Sequence, residues 1–175
     1  MAFGVETDSD VIERLWSPWR LAYITGEKND KGCVFCAARS SADGDELIVF
    51  RGTTCFVILN LFPYNNGHLM VIPNRHVASL GGLDDAERHE LIDLTQTCEA
   101  VLTEAYAPHG MNLGINLGKP AGAGVLDHVH MHVVPRWNGD TNFMSVVGQT
   151  RVLAEELPET AARLRPIFER LAVNG

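Results

Sequence analysis

Runs of apolar residues predict a series of β-strands in the middle of the chain. We expect strands over residues 47–50 and 55–60, joined by a turn at residues 51–54, and a nearly all-apolar strand over residues 68–73. A further run at residues 111–117 alternates between apolar and small or polar positions. Because these strands follow one another with few helices between them, the pattern favours an antiparallel sheet.

Two segments have the pattern of helices. Asp84, with Glu87 three residues later, predicts a capped helix start, and apolar residues spaced three and four apart continue to about Tyr106. Residues 152–173 are also helical in pattern, and we expect Pro166 to break or kink that segment. A sheet with one long central helix and a C-terminal helix belongs to the α+β class.

The most unusual pattern lies at residues 125–135, where His128, His130 and His132 alternate with apolar residues. A period of two predicts a strand with all three imidazoles on one face, roughly 6.6 Å apart, because a strand rises about 3.3 Å per residue. Imidazole changes its protonation near neutral pH, so such a row can supply a nucleophile and proton donors. The alternative is a polar strand face that happens to hold histidine.

A loop of small residues, Gly118 to Gly124, comes just before the histidines. Glycine and alanine let backbone N–H groups approach an anion closely, which favours a phosphate beside the imidazoles. His130 has a histidine on either side to hold the phosphoryl group while it attacks phosphorus. We expect a carbonyl of the loop to orient its other ring nitrogen. A plain turn is the alternative interpretation of the loop.

One close cysteine pair, Cys33 and Cys36, has the spacing of a metal clamp. A tetrahedral zinc site needs four Cys or His ligands, and the chain has no second Cys-x-x-Cys, so two histidines would have to complete it. His76 and His128 are the candidates. From the spacing alone, a reduced buried pair and a redox-active pair stay open as alternatives.

Composition narrows the class of protein. The formal net charge of −8 argues against a broad nucleic-acid surface, because such a surface needs clustered Lys and Arg. No apolar run approaches the roughly 20 residues that span a bilayer. The N-terminus lacks the basic-then-apolar pattern of a signal peptide. We therefore expect a soluble, cytoplasmic protein with neither a nucleic-acid polymer nor a membrane as its partner.

Two blocks of sequence resemble the histidine triad (HIT) superfamily of nucleotide hydrolases and transferases. Residues 128–134 look like its His-x-His-x-His-x-x signature, and residues 60–73 resemble its first nucleotide-binding strand and its Gly-His strand. Residues 15–20 and 135–140 look most like the bacterial branch related to diadenosine tetraphosphate phosphorylases. The resemblance implies a HIT-like antiparallel sheet with a long central helix, and a homodimer with one continuous sheet.

The resemblance also implies a role for each matched residue. His130 would be the catalytic nucleophile that becomes nucleotidylated at the α-phosphorus, assisted by His132 and His68. The nucleotide would be bound by Asn60, Leu61, Asn116, Gly122, Ala123, Gly124 and Trp137. In zinc-containing relatives the metal ligands match Cys33, Cys36, His76 and His128. The loop lacks the Ser or Thr that many members place near Gly124, so the acceptor, water or inorganic phosphate, stays open.

These features together predict an enzyme that cleaves a dinucleoside polyphosphate, or another adenylylated compound, at its α-phosphorus through a nucleotidyl-His130 intermediate. The expected partner is an AMP-containing small molecule, and the expected cofactor is structural zinc. A nucleotide-binding sensor or scaffold with little turnover is the alternative. We expect an N-terminal extension packed on the body at residues 1–32, a HIT domain at residues 33–147 and a C-terminal helical segment at residues 148–175.

Overall fold

A single antiparallel sheet organises the fold. The computed structural model describes residues 32–41, 46–140 and 154–172. The strands are Ile48–Arg51 (β1), Cys55–Leu59 (β2), Leu69–Pro73 (β3), Gly110–Ile115 (β4) and Met131–Arg136 (β5). Their order across the sheet is β1-β2-β3-β5-β4, and every neighbouring pair is antiparallel. The predicted α+β class is confirmed. The expected N-terminal extension lies, apart from Gly32, outside the described residues.

Helices flank this sheet. They are Val34–Ser40 (α1), Asp85–Tyr106 (α2) and Leu157–Ala172 (α3), with short 3₁₀ turns at Leu80–Gly82 and Lys119–Ala121. The start of α2 is as predicted, because the Asp84 carboxylate accepts the Glu87 N–H and the Glu87 carboxylate accepts the Asp84 N–H, each at 2.9 Å. Helix α3 continues through Pro166 and does not end there. None of the described helices is long and apolar enough to cross a membrane.

The two longer helices cover one face of the sheet. Val57, Val71 and Val133 on the strands pack with Val101 of α2 and Phe168 of α3, and all of these side chains are completely buried. Burying each such side chain stabilises the fold by about 1.5–3 kcal/mol. Helix α3 therefore belongs to the same core as the sheet, and this core supports the face that carries the histidines.

The opposite face of the sheet lies under α1. Phe56, Ile58 and Met70 point to this face from alternate positions of β2 and β3, and they form a second apolar cluster with Phe35 of α1. His132 lies directly opposite Met70 in the β3–β5 pairing. Cross-strand neighbours share a face, so the end of the histidine row lies on the α1 side.

The histidine strand is shorter than the alternation predicted. Strand β5 begins at Met131, so His128 and His130 lie in an irregular segment before it. The pairing of β5 with β3 would place Val129 opposite Pro73, which has no N–H to donate to the sheet. The N–H of Val129 donates instead to the carbonyl of Val77, at 2.7 Å. The β3–β5 pairing therefore ends at Met131, one residue before His132 in the sequence.

Candidate active site and metal centre

A cavity of about 510 Å³ lies between α1 and the histidine face of the sheet. Val34, Phe35 and Ala38 of α1 form one wall, and His130 and His132 form part of another. Small-molecule sites in proteins commonly have volumes of about 300–1,000 Å³ and mostly apolar walls with a few polar groups. The cavity therefore has the size and character of a site for one nucleotide-sized ligand.

His130 offers one ring nitrogen to this cavity. Its Nδ1 lies 2.9 Å from the carbonyl oxygen of His128, which can only accept, so the proton is on Nδ1 and the lone pair is on Nε2. No hydrogen-bond partner for Nε2 is found among the described residues. Burial lowers the pKa of His130, which keeps the ring neutral at neutral pH. The orienting carbonyl belongs to His128, so the expectation that the glycine loop supplies it was wrong.

A chain of hydrogen bonds determines which nitrogen of His132 carries the proton. The backbone N–H of Tyr64 donates to Nδ1 of His68 at 3.0 Å, so His68 is protonated on Nε2. Nε2 of His68 in turn donates to Nδ1 of His132 at 3.0 Å, which leaves the His132 proton on Nε2. Burial, with a contribution from His130, lowers the pKa of His132 to about 4. His132 is therefore a neutral N–H donor, with its ring centre 4.8 Å from that of His130.

His68 lies behind His132 and is completely buried. Gly67 turns the chain into this position with φ of +73°, a conformation that favours glycine. A Cβ on Gly67 would also lie 3.1 Å from the Leu102 side chain and 3.2 Å from the Tyr106 ring. A glycine is therefore needed here for both the turn and the close packing that place His68 against His132.

A second cluster lies where α1 meets the segment before β5. The ligand atoms of Cys33, Cys36, His76 and His128 all lie within 4.8 Å of one another. Nδ1 of His128 is 3.3 Å from Sγ of Cys33 and 3.7 Å from Sγ of Cys36, and Nδ1 of His76 is 3.4 Å from Sγ of Cys36. Usual zinc bond lengths place sulfur and nitrogen ligands about 3.6 Å apart in a tetrahedral site. The geometry therefore fits zinc.

His128 has the protonation state that a metal ligand requires. Its Nε2 lies 2.9 Å from the carbonyl oxygen of Pro73, so Nε2 carries the proton and the lone pair of Nδ1 faces the cysteines. A carbonyl on the second nitrogen is a common orienting partner of metal-bound imidazole. Burial lowers the pKa of His128, which favours the neutral form. Cys33 and Cys36 are free thiols, so all four groups can act as ligands.

The residues expected to bind nucleotide are only partly gathered around the cavity. Those that line it are Asn60, Leu61, Gly122 and Gly124. The wall does not include Asn116, Ala123 and Trp137. In the loop, the N–H of Ala123 donates to the Gly118 carbonyl at 3.3 Å. This bond closes the loop on itself, so the Ala123 N–H is already occupied.

Two aromatic residues that contact the histidines of the site were not predicted from the sequence. Phe35 lies on the cavity wall, with ring centres 5.0 Å from His130 and 5.6 Å from His128. Tyr64 lies 4.7 Å from His68 between ring centres, and it also lines the cavity. The available signals were the position of Phe35 inside the Cys-x-x-Cys pair and that of Tyr64 four residues before a candidate catalytic histidine.

An antiparallel sheet with closely spaced histidines at the start of one strand, beside a nucleotide-sized cavity, is the arrangement of a histidine triad protein. The HIT domain family matches residues 42–139. The chain is 40% identical over 169 residues to the AP-4-A phosphorylase of Mycobacterium tuberculosis, which covers 92% of this chain and 87% of that protein. The chain therefore belongs to the HIT domain family.

Other relatives agree with this assignment. The chain is 31% identical over 128 residues to the bis(5'-adenosyl)-triphosphatase of Dictyostelium discoideum, over 70% of this chain and 85% of that protein. Among solved structures, it is similar to a zinc-bound histidine triad family protein from Mycobacterium smegmatis. That similarity has a TM-score of 0.67 and 28% identity and covers 82% of this chain and 98% of the other.

Proposed function

We propose that this chain is an enzyme that cleaves dinucleoside polyphosphates, such as diadenosine tetraphosphate, at the α-phosphorus through a nucleotidyl-His130 intermediate. The observation that carries the proposal is the free Nε2 lone pair of His130 on the cavity wall, beside the N–H donor of His132. The relatives support the substrate class, because their names describe a phosphorylase and a triphosphatase of diadenosine polyphosphates.

The reaction runs in two displacements at the same phosphorus. Nε2 of His130 attacks the α-phosphorus, a P–N bond forms, and the P–O bond to the rest of the polyphosphate breaks. The leaving group departs as a nucleoside polyphosphate anion. Nε2–H of His132 donates to a phosphoryl oxygen as negative charge develops. The oxygen of water or of inorganic phosphate then attacks phosphorus and forms a P–O bond, and its proton is lost to solvent. The P–N bond breaks, and its electron pair returns to Nε2, which restores neutral His130.

His68 takes a supporting part in this scheme as a positioning residue. Because it is buried behind His132, it acts by holding the proton of His132 on the nitrogen that can reach the phosphate. Tyr64 in turn holds His68 in the required tautomer through its backbone N–H. The first displacement thus uses one nucleophile and one donor, each oriented by hydrogen bonds.

We assign the nucleotide to the cavity, with its α-phosphate at the histidines and its base against the apolar wall. Asn60 and Leu61 would hold the ribose, and Gly122 and Gly124 would approach the phosphate; all four line the cavity. Asn116, Ala123 and Trp137 are proposed to contact the rest of the substrate, because a cavity of about 510 Å³ suits one nucleotide rather than two.

We propose that the cysteine and histidine cluster binds structural zinc through Cys33, Cys36, His76 and His128. Zinc in such a site acts as a cross-link without an open coordination position. Metal analysis of the purified chain tests the assignment: we expect roughly one zinc per chain, lost in Cys33→Ser. Zinc at wild-type stoichiometry in that variant would contradict the site.

We also propose that the protein works in the cytoplasm, because free thiols are typical of proteins in this reducing compartment.

We propose a homodimer formed through strand β4. This strand is at an edge of the described sheet, and such an edge can pair with another strand. Two apolar side chains on or near it are exposed, Leu113 at 51% and Leu117 at 47%. Light scattering of the wild type should give a dimer, and Leu113→Glu should shift it towards monomer. A monomeric wild type would contradict the proposal.

For the domain organisation we retain a HIT domain at residues 33–147 between an N-terminal extension and a C-terminal helical segment. Helix α3 of the C-terminal segment packs into the main core through Ala161, Leu164 and Phe168, so the HIT domain depends on this segment for its stability. A chain that ends at residue 147 should therefore be unstable rather than an independent domain, as thermal unfolding would measure.

Product analysis with diadenosine tetraphosphate tests the proposed activity and its acceptor. ADP plus ATP formed only with inorganic phosphate identifies phosphate as the acceptor, whereas AMP plus ATP identifies water. His130→Asn should lower kcat by at least about 1,000-fold, because the nucleophile is removed. Wild-type turnover in this variant would contradict the mechanism, and tight AMP binding without any turnover in the wild type would favour a sensor.

A further inference from the structure

Helix α1 takes part in two sites at once. Cys33 directly precedes the helix and Cys36 lies within it, and both belong to the metal cluster. Val34, Phe35 and Ala38 of the same helix line the cavity. One wall of the cavity and half of the metal ligands are thus carried by residues 33–40, which are Cys33 and the seven-residue helix that follows it.

Apart from the packing of Phe35 and Ala38 on the apolar cluster of the sheet, few contacts in the described part of the chain hold α1 in place. A helix shorter than about 12 residues is marginal in water without tertiary contacts. The Cys33 side chain makes no capping hydrogen bond, and Phe35 is the buried residue of the helix. Among the described residues, one further hydrogen bond reaches α1 from another element, from Arg51 to the Arg39 carbonyl at 3.3 Å.

Phe35 links the two sites directly. Phe35 is 6% exposed, and its ring lies against both a proposed metal ligand, His128, and the proposed nucleophile, His130. The contact with His130, at 5.0 Å between ring centres, is closer than the contact with His128. A change in the position of α1 would therefore alter the cavity wall and remove the packing partner of the nucleophile.

We propose that the metal cluster controls the nucleotide pocket by holding α1 in place, so that metal and nucleotide bind cooperatively, with Phe35 as the positioning residue for His130. This inference rests on the proposed function, because it takes the cavity as the nucleotide site. By linkage, the factor by which zinc raises nucleotide affinity equals the factor by which nucleotide raises zinc affinity.

Two titrations of the full chain test this coupling. Calorimetry with AMP compares the zinc-loaded chain with the chain freed of metal by a chelator, and a chromophoric chelator measures zinc affinity with and without saturating AMP. Coupling between sites is typically about 5–150-fold. We expect AMP to bind about tenfold more tightly with zinc and zinc to bind about tenfold more tightly with AMP. Equal AMP affinities with and without zinc would overturn the coupling and leave the proposed function standing. Failure of AMP to bind the zinc-loaded chain would overturn both.

The metal-free chain can be compared with the zinc-loaded chain only if it stays folded, which far-UV circular dichroism would reveal. If it unfolds, a variant that keeps the metal tests the coupling instead. Phe35→Leu leaves all four metal ligands intact, so it should retain zinc while binding AMP about tenfold more weakly, with a smaller effect of AMP on zinc affinity. Ala37→Ser, on the exposed side of α1, is the matched control and should behave as wild type. Wild-type AMP affinity in Phe35→Leu would contradict the linking role of this ring.

Steady-state kinetics distinguish two possible roles of Phe35. It could position His130 for attack, or it could only form part of the cavity wall that binds substrate. At saturating diadenosine tetraphosphate, Phe35→Leu should lower kcat, because the ring that packs on the nucleophile is missing. Val34→Ala trims an exposed residue of the same wall that makes no described ring contact with His130, and it should raise KM with kcat retained. The same effect on kcat in both variants would argue against a positioning role for Phe35.

Discussion

Replacing Gly67 with alanine would perturb the residue that places His68 behind His132. Gly67 has φ of +73°, and an added Cβ would lie 3.1 Å from the Leu102 side chain and 3.2 Å from the Tyr106 ring. The residue immediately after Gly67 is His68, whose Nε2 donates to His132 at 3.0 Å. The substitution should therefore affect both the stability of the fold and the orientation of the phosphate donor.

The expected loss of folding stability in Gly67→Ala has two contributions, one from the backbone conformation and one from close packing. A left-handed backbone costs an alanine about 1–2 kcal/mol, of which about 0.4–1 kcal/mol is offset because alanine restricts the unfolded chain. Overpacking against the buried Leu102 side chain adds about 1–3 kcal/mol. Gly67→Ala should lower the free energy of unfolding by about 3 kcal/mol in total. Gly139→Ala isolates the backbone part, because φ there is +78° and no atom lies within 4 Å of an added Cβ.

Urea unfolding followed by far-UV circular dichroism measures these differences from the midpoints and slopes. Gly139→Ala should be destabilised by about 1 kcal/mol, and Gly81→Ala should be near wild type, because its φ is not positive and its Cβ meets nothing within 4 Å. Activity of the folded Gly67→Ala chain should fall through kcat. If Gly67→Ala were no less stable than Gly139→Ala, the close contacts with Leu102 and Tyr106 would not contribute to the loss of stability.

Three further predictions concern single side chains. His68→Ala should lower kcat by about 10- to 100-fold in steady-state assays, because His132 loses the donor that fixes its tautomer; unchanged kcat would contradict the proposed relay. The Arg75 guanidinium lowers the pKa of Glu87 below 4.5, so this pair stabilises the fold fully above that pH and progressively less as the pH falls through the folded pKa. In acid unfolding, Glu87→Gln should therefore lose less stability than wild type below about pH 4.5, and parallel curves would contradict it. Glu90→Gln should weaken the β1–β2 turn, since the Glu90 carboxylate accepts the N–H groups of Thr53 and Cys55 at 2.7 and 2.8 Å, and a melting temperature equal to wild type would contradict this.

Local signals explain why some elements could be predicted from sequence. Helix α2 begins and ends where expected, because Asp84 and Glu87 cap each other within a few residues and the apolar spacing runs on to Tyr106. The grouping of Cys33, Cys36, His76 and His128 was also foreseeable, because the Cys-x-x-Cys spacing indicates a metal-binding pair that two histidines would have to complete. In both cases the information lies in residue types and short spacings.

Other features depend on contacts between distant segments and could not be predicted in this way. The start of β5 is determined by Pro73 on the neighbouring strand, which offers no N–H to Val129. Phe35 becomes part of the site only because α1 lies on the face of the sheet opposite α2. The carbonyl that orients His130 comes from the irregular segment before β5, which the alternation had suggested to be strand.

Detection of a covalent nucleotidyl intermediate on His130 would distinguish nucleophilic catalysis by this residue from direct attack of the acceptor on the substrate. The zinc-loaded chain is mixed with diadenosine tetraphosphate for a single turnover, quenched in denaturant at alkaline pH and digested for mass spectrometry. We expect one AMP group on the peptide that contains His130, formed at a rate equal to or faster than turnover and absent from His130→Asn. Full turnover without this adduct, or an adduct on a different residue, would contradict this expectation.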